Sequence, residues 1–238
     1  MPDSHNHGNN ASVAEPVSPN PRAAAGLLMF AQRVARLKAV PRTGWLDRGV
    51  PPAQTESVAD HSYGVALLAW VLARERQAEG ASIDPSRVLA LALIHDLAEA
   101  EIGDLPPYDP ASIPAESDPD ARRAFLERRQ RRNPARAAAK RAAEDAAMAD
   151  LAALVPAASG AALGELWEEL RRGETTEARF VKQIDRLETF LQSLRYQEAD
   201  PNLPVDSFRL EVLQEIDDPL LAGVRDAALF RASPPESG

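Results

Sequence analysis

The sequence LALALIHDLAEAEIGD, from Leu89 to Asp104, joins an apolar run to a cluster of ligand-type side chains. Because the run from 88 to 94 offers no polar face to water, it predicts a helix buried on nearly all sides. Burying an imidazole and a carboxylate side by side is costly unless something binds both groups. A divalent cation would satisfy His95 and Asp96 together, so this stretch predicts part of a metal site.

The helical period predicts the positions of the remaining polar residues of this stretch. A continuous helix places Glu99 one turn beyond His95 on the same face, with Asp96 turned by about 100 degrees. The Gly and Pro residues that come next break the helix. We therefore expect Asp104 on a loop beside the same cluster.

Composition sets the fold class. The chain has 238 residues, 45% of them hydrophobic, and only 12 Gly. Helical periodicity dominates over strand-like alternation, so we predict an all-α fold with one large domain. The net charge of -9 argues against a nucleic-acid polymer or an anionic membrane as the partner.

Cysteine usage limits the chemistry of the site. The chain contains no Cys, so a metal must be held by His, Asp and Glu. Such donors favour Mn²⁺, Mg²⁺ or Co²⁺, with iron as a further candidate, over structural zinc.

Periodicity and breakers divide the chain. We expect a disordered tail over 1–20, a folded domain over 21–231 with a Pro- and Arg-rich insertion at about 106–138, and a second tail over 232–238. The insertion is read as a solvated excursion in preference to a surface for RNA or a partner subunit. The predicted helices cover 23–40, 57–79, 85–99, 121–132, 140–155, 161–172 and 176–198, with one or two more after 201. No signal peptide or membrane span is expected, which favours the cytoplasm.

Two further residues are candidate ligands on the predicted helices. His61 lies on the apolar stripe that includes Val65 and Leu68, where a lone His is more often a hydrogen-bonded core residue. Asp185 lies between Lys182 and Arg186, which alone would indicate a surface ion pair. Their combination with the His-Asp doublet is what favours a four-ligand metal site between helices. Two imidazoles and two carboxylates leave open positions for water and substrate, as catalytic metals require.

The segment 41–52 holds an Arg and a Trp close together. Taken alone, Arg42 is a surface charge or an anion-binding group, and Trp45 plugs the edge of the core or packs on a sugar or base. The sequence leaves both pairs of readings open. The Pro and Gly content predicts that the whole segment is a loop.

Four stretches together resemble a known family. Residues 56–62 (ESVADHS), 93–99 (LIHDLAE), 102–104 (IGD) and 180–186 (FVKQIDR) closely resemble the HD-domain metal-dependent phosphohydrolases. Within them the chain looks most like the HD domain-containing protein 2 branch, the YfbR-like 5'-deoxynucleotidases. The similarity runs from about 36 to 196 and includes PRTGW at 41–45 and KRAAE at 140–144.

The resemblance implies a single helical HD domain, commonly a homodimer, that removes the 5'-phosphate from nucleoside monophosphates with a preference for deoxyribose. It implies His61, His95, Asp96 and Asp185 as metal ligands. It implies Glu99 as an acid/base group or second-metal ligand, Asp104 as a sugar or second-metal contact, and Arg42 with Trp45 as the phosphate- and sugar-binding pair. Two departures from other members are visible: Thr43 and Gly44 separate the Arg from the Trp, and the insertion is longer than usual.

The chemistry expected of such a site is hydrolysis of a phosphate monoester. A bound divalent ion lowers the pKa of water, Arg42 neutralises phosphate oxygens, and Glu99 moves the proton that leaves with the nucleoside. The alternatives are another enzyme on the same scaffold, namely a phosphodiesterase, a nucleoside triphosphohydrolase or a di-iron oxygenase. A further alternative is a module that binds a nucleotide without hydrolysing it.

Overall fold

The computed structural model describes residues 21–232, so the predicted tails lie outside the described residues apart from Ala232. Within this range the chain is all α-helical, as predicted, and its only β-type pairing is an isolated bridge between Pro41 and Ser57. Short 3₁₀ segments cover Ala35–Ala39 and Pro110–Ser112. The helices are α1 (Pro21–Val34), α2 (Thr43–Asp47), α3 (Val58–Ala78), α4 (Pro85–Ile94), α5 (Glu99–Ile102), α6 (Pro119–Glu127), α7 (Pro134–Ala152), α8 (Ala157–Arg172), α9 (Thr176–Ala199), α10 (Asp206–Glu215) and α11 (Pro219–Ala232).

The three helices at the centre begin at side-chain caps. Ser57 and Asp60 form a reciprocal capping box at the start of α3. Asp84 caps α4, whose first residue is a proline, and Thr175 caps α9. These starts agree with the predicted ones because capping is a local property of the sequence.

Helices α3, α4 and α9 pack against one another and form the core. Val65, Leu91, Ile184 and Leu187 are fully buried between them. The prediction that the run before His95 is buried on nearly all sides is wrong at Leu93, whose exposed fraction is 57%. One side of α4 faces away from its neighbours at that point.

The predicted continuous helix through Glu99 is also wrong. Helix α4 ends at Ile94, and residues 95–98 form a turn before α5. The backbone changes there to hydrogen bonds between residues three apart, from Leu97 N to Ile94 O (3.1 Å) and from Glu99 N to Asp96 O (3.0 Å). This tighter winding rotates successive side chains by more than an α-helix does. It changes the directions in which the ligand-type residues project.

The segment 41–52, predicted as a loop, contains a short helix, and the helical piece predicted at 121–132 within the insertion is present at 119–127. The expected loop at 41–52 includes α2, and the insertion at 106–138 contains α6 and the first turn of α7, which starts earlier than predicted. Pro119 and Pro134 each occupy a first helical position after a capping Asp or Asn, where proline is compatible with a helix. No helix within 21–232 is long and apolar enough to cross a membrane.

Candidate metal centre and phosphate pocket

His61 is completely buried one turn into α3. Its Nδ1 lies 2.6 Å from Glu188 Oε2 and its Nε2 lies 3.0 Å from Asp185 Oδ1. Burial and the nearby Arg42 lower the pKa of His61, but the carboxylates of Asp185 and Glu188 override them and raise it. His61 is therefore held between two anionic groups of α9.

His95 is fixed by the turn that ends α4. Its Nδ1 lies 2.7 Å from the carbonyl oxygen of Ala92. Because a carbonyl can only accept, Nδ1 carries the proton and Nε2 is directed at the cluster. Burial lowers the pKa of His95, but the adjacent Asp96 outweighs it and the pKa is raised to about 9. A cation that binds Nε2 must displace this proton.

The four candidate ligands from α3, the 95–98 turn and α9 converge as predicted. The Nε2 atoms of His61 and His95 are 3.3 Å apart, and a carboxylate oxygen of Asp185 lies within 4.8 Å of both. Asp96 Oδ2 lies 3.7 Å from His61 Nε2 and 3.3 Å from His95 Nε2. Burial raises the pKa of Asp96, but His95, Arg42 and His61 outweigh it and hold this pKa far below its usual range.

This donor set fits a divalent metal. Metal–ligand distances of about 2.0–2.3 Å place neighbouring donor atoms about 3.0–3.5 Å apart. His61 Nε2 lies at this spacing from His95 Nε2 and from Asp185 Oδ1, and His95 Nε2 lies at this spacing from Asp96 Oδ2. Asp96 Oδ2 is slightly farther from His61 Nε2, at 3.7 Å. Nitrogen and carboxylate donors without thiolates are compatible with hard and borderline divalent ions.

Glu188 is a site residue that the sequence reasoning missed. It lies one turn after Asp185 on α9, and its carboxylate reaches the far side of the His61 ring. Gly64 provides the space, because a Cβ at that position would lie 2.7 Å from Glu188 Oε1. A carboxylate that accepts the second ring N–H of a ligating His fixes the tautomer and raises the basicity of the ligating nitrogen. The i, i+3 spacing from Asp185 was the available signal.

We expect Glu188→Ala to weaken divalent metal binding by about 10- to 100-fold, because His61 loses the partner that orients it. The measurement is a calorimetric titration of metal-stripped protein. Glu198→Ala removes the same side chain from an exposed position near the end of α9 and should leave the affinity unchanged. Equal affinities of the Glu188 variant and the wild type would contradict the assignment.

Arg42 reaches the cluster from the segment before α2. Its guanidinium donates to Asp96 Oδ2 at 3.3 Å and to the Thr189 hydroxyl at 3.4 Å. Burial disfavours the charge on Arg42, but Asp96, Asp104 and Asp185 outweigh it and raise its pKa. Arg42 is therefore a cation placed next to the candidate metal ligands, where it can neutralise a phosphate oxygen.

Asp104 connects two loops of the site. Gly103 has a φ of 74°, a left-handed conformation that suits glycine and ends α5. Asp104 then accepts a 2.6 Å hydrogen bond from Thr43 N and, through its carbonyl, a 2.8 Å bond from the Thr43 hydroxyl. These bonds hold the residue that follows Arg42, a positioning contact that the sequence did not indicate.

Glu99 is 3% exposed and its Oε2 has no hydrogen-bond partner among the described residues. Its Oε1 lies 3.4 Å from Lys140 Nζ, which also approaches Glu144. Burial, with help from Asp96 and Asp104, raises the pKa of Glu99 to about 9. At neutral pH this side chain is a protonated acid that faces the candidate centre.

Trp45 is 2% exposed, so nearly all of its surface is used within the fold. The indole N–H donates to Glu56 Oε1 at 2.8 Å, and the ring packs against Tyr196 and Phe208 with centroids 5.0 and 4.7 Å away. Trp45 borders the pocket as part of its wall. This packing favours the core-edge reading over direct stacking on a ligand.

A cavity of about 300 Å³ is lined by six of the sequence-predicted residues: Arg42, Trp45, Asp96, Glu99, Asp104 and Asp185. This volume is at the lower end of the range of small-ligand pockets. Its lining combines the candidate catalytic carboxylates with a wall from the insertion and from α10. The lining includes Arg42, Trp45, Arg48, Asp96, Glu99, Asp104, Arg128, Arg129, Arg132, Lys140, Asp185, Phe208 and Glu211. His95 lines a neighbouring cavity of about 250 Å³, which it shares with Asp96 and Asp185.

Comparisons with known proteins agree with this arrangement. A family model described as an HD domain matches residues 34–216. The 5'-deoxynucleotidase HDDC2 of Mus musculus is 36% identical over 176 residues, which are 74% of this chain and 72% of the mouse protein. The 5'-deoxynucleotidase hdd1 of Schizosaccharomyces pombe is 28% identical over 174 residues, 72% of each chain.

A solved structure shows the same fold. The PH0347 protein from Pyrococcus horikoshii superposes with a TM-score of 0.63 at 28% identity, covering 87% of this chain and 99% of that chain. The helical fold and the His-Asp centre define an HD-domain protein, and the chain belongs to that family. Within the family it belongs to the branch that contains the HDDC2 proteins.

Proposed function

We propose that this protein is a metal-dependent 5'-deoxynucleotidase that hydrolyses deoxynucleoside 5'-monophosphates to nucleoside and phosphate. The observation that carries the proposal is a cavity that brings a buried cation, Arg42, and a buried acid with a raised pKa, Glu99, together with both Asp residues of the two-His, two-Asp cluster. The names of the mouse and fission yeast relatives support the same activity.

The residues divide the work of phosphate hydrolysis between them. His61, His95, Asp96 and Asp185 would hold a divalent ion, which supplies Lewis-acid activation of water when bound. Arg42 neutralises the phosphate oxygens as negative charge is redistributed in the transition state.

Glu99 donates its proton to the leaving oxygen of the nucleoside, since it is protonated at neutral pH and buried beside the centre. Lys140, at 3.4 Å, holds the carboxyl group in place. Asp104 positions Thr43 and leaves its other oxygen for the sugar or for a second ion with Glu99. Trp45 affects sugar selection indirectly, because its packing supports the wall of the pocket. For the resident ion we propose Mn²⁺, Mg²⁺ or Co²⁺, with iron as a further candidate, because the donors are imidazole and carboxylate.

The test is phosphate release from each deoxynucleoside 5'-monophosphate and its ribose counterpart. Metal-stripped protein is resupplied with Mn²⁺, Mg²⁺, Co²⁺ or Fe²⁺ in turn. Release from monophosphates but not from cyclic nucleotides or triphosphates supports the proposal and reports the sugar preference. Release only from cyclic nucleotides or triphosphates indicates another HD-domain phosphohydrolase, and stabilisation by nucleotides without turnover indicates a binding module.

We also propose that the protein is a homodimer. Helix α3 exposes an apolar stripe of residues at helical spacing, with Tyr63 at 71%, Leu67 at 49% and Trp70 at 44% exposure. Contiguous apolar patches of this kind mark interaction surfaces on soluble proteins, and a two-fold contact lets one patch cover itself.

Replacing Leu67 and Trp70 together by Glu should therefore convert a dimer to a monomer, measured as mass by light scattering. The matched control is Phe230→Glu, which places the same charge at an apolar residue that is 82% exposed on α11. A wild type that is monomeric at micromolar concentration would contradict the proposal, and so would a double variant that stays dimeric.

Two further proposals concern the domain organisation and the cellular location of the protein. We propose that residues 21–231 form one domain, because the larger hydrophobic cluster takes residues from Leu37 through Leu221 and Phe208 packs against both this cluster and the smaller one around Trp45. We propose a cytoplasmic location because nucleoside monophosphates are the substrate, and cell fractionation tests it.

A further inference from the structure

The insertion forms a wall of the pocket and is held there by hydrogen bonds. Arg122 donates to the carbonyl oxygen of Asp47 at 2.7 Å, and Arg48 donates to that of Leu126 at 3.2 Å. Helix α6 also packs on α10. The insertion is therefore docked on both sides of the cavity, which gives its side chains defined positions relative to the candidate centre.

Six basic residues line the cavity. Three of them have a carboxylate partner within the fold, and a fourth has every guanidinium nitrogen hydrogen-bonded. Arg42 donates to Asp96, and Lys140 approaches Glu99 and Glu144. All three nitrogens of the Arg48 guanidinium are hydrogen-bonded, to carbonyl oxygens and the Ser207 hydroxyl. Arg129 is paired with Glu215 and Gln214.

The other two cations, Arg128 and Arg132, come from the insertion. Arg128 donates through Nε to the carbonyl oxygen of Ala124 at 3.1 Å. Arg132 donates through one terminal nitrogen to the carbonyl oxygens of Leu105 and Pro106, at 2.6 and 2.9 Å. Within residues 21–232 no carboxylate oxygen lies within 4.0 Å of either guanidinium, and both line the cavity.

The carboxylates that line the cavity already have partners or roles within the fold. Asp96 and Asp185 belong to the candidate metal centre, and Asp104 accepts from Thr43 N. Glu99 lies 3.4 Å from Lys140, and Glu211 lies 3.4 Å from Arg186. Two guanidinium groups thus face a small cavity without an internal counter-ion, and phosphate oxygens are the anions that a guanidinium binds best.

We infer that the pocket accepts nucleotides that carry a second phosphoryl group and that Arg128 and Arg132 bind this group. The inference rests on the proposed function, in which the first phosphoryl group is hydrolysed beside Arg42. The second group is attached either to the sugar, as in a 3',5'-bisphosphate, or to the first phosphate, as in a diphosphate. Both present the same oxygens to the insertion.

The experiment compares dAMP, deoxyadenosine 3',5'-bisphosphate and dADP. Release of phosphate from dAMP and from the bisphosphate, and of pyrophosphate from dADP, gives kcat/KM for the wild type and for the Arg128→Ala/Arg132→Ala double variant. Calorimetry on Glu99→Gln protein with metal measures binding of the same three nucleotides without relying on turnover. Arg131→Ala is the matched control, because Arg131 is an exposed neighbour that does not line the cavity.

We expect the double variant to lose roughly tenfold or more in binding and kcat/KM for one of the doubly phosphorylated nucleotides, and much less for dAMP. The nucleotide that suffers the loss identifies where the second group is attached. Equal losses for all three nucleotides, a loss for dAMP alone, or equal effects of Arg131→Ala would overturn the inference. Hydrolysis of dAMP without any preference for a second phosphate leaves the proposed function standing. If binding of a doubly phosphorylated nucleotide depends on Arg128 and Arg132 but no nucleotide is hydrolysed, the inference stands and the proposed function fails.

Discussion

Asp96→Ala is expected to abolish both metal binding and phosphate release. Asp96 Oδ2 lies within 3.7 Å of the Nε2 atoms of His61 and His95 and accepts a hydrogen bond from Arg42. The substitution therefore removes an anionic ligand and leaves the phosphate-binding cation without its anchor. We expect a loss in kcat/KM on the order of a thousandfold or more, since both metal activation and charge neutralisation depend on this carboxylate.

The measurement for Asp96→Ala pairs metal content, by mass spectrometry of dialysed protein, with phosphate release from deoxynucleoside monophosphates. Glu101→Ala is the matched control, because Glu101 pairs with Arg33 and Arg36 away from the cavity. Activity that survives loss of the metal would contradict metal dependence. A variant that is inactive but keeps its metal would show that Asp96 acts as something other than a ligand.

The convergence of the four candidate ligands could be predicted from the sequence because it follows from patterns that act over long stretches. The apolar stripes of α3 and α9 bury their faces against α4, and His61 and Asp185 lie on or beside those stripes. Capping residues such as Ser57 and Asp84 gave the helix starts correctly for a different reason, because a cap depends only on the residues next to it.

The geometry around the His-Asp doublet could not be predicted in this way. Nothing in the period of the apolar residues distinguishes a continuous helix from one that changes to i, i+3 hydrogen bonds at 95–98. The contacts of Glu188 with His61 and of Asp104 with Thr43 join residues 127 and 61 positions apart, so they depend on the tertiary packing. For Trp45 the sequence allowed two readings, and only its burial distinguishes them.

Glu99→Gln is expected to lower kcat by about 10²- to 10⁴-fold while the metal content stays unchanged, because the substitution removes an acid without removing one of the four ligands. The amide keeps the size of the buried side chain and its contact with Lys140. The measurement combines kcat, KM and metal content. Glu144→Gln is the matched control, since Glu144 also approaches Lys140, at 3.3 Å, and does not line the cavity with Glu99.

The pH profile separates a proton donor from a residue that only shapes the pocket. Because the protonated form of Glu99 is the active one, kcat should fall on the alkaline side as pH rises through the pKa of Glu99, which is about 9 without a cation. A bound cation favours the carboxylate, so this decline should begin below pH 9 in the metal-loaded enzyme. The amide of the Glu99→Gln variant cannot titrate, and the decline should vanish from its residual activity. A decline that persists in Glu99→Gln would assign the proton to another group, and a loss of metal in this variant would make Glu99 a ligand instead.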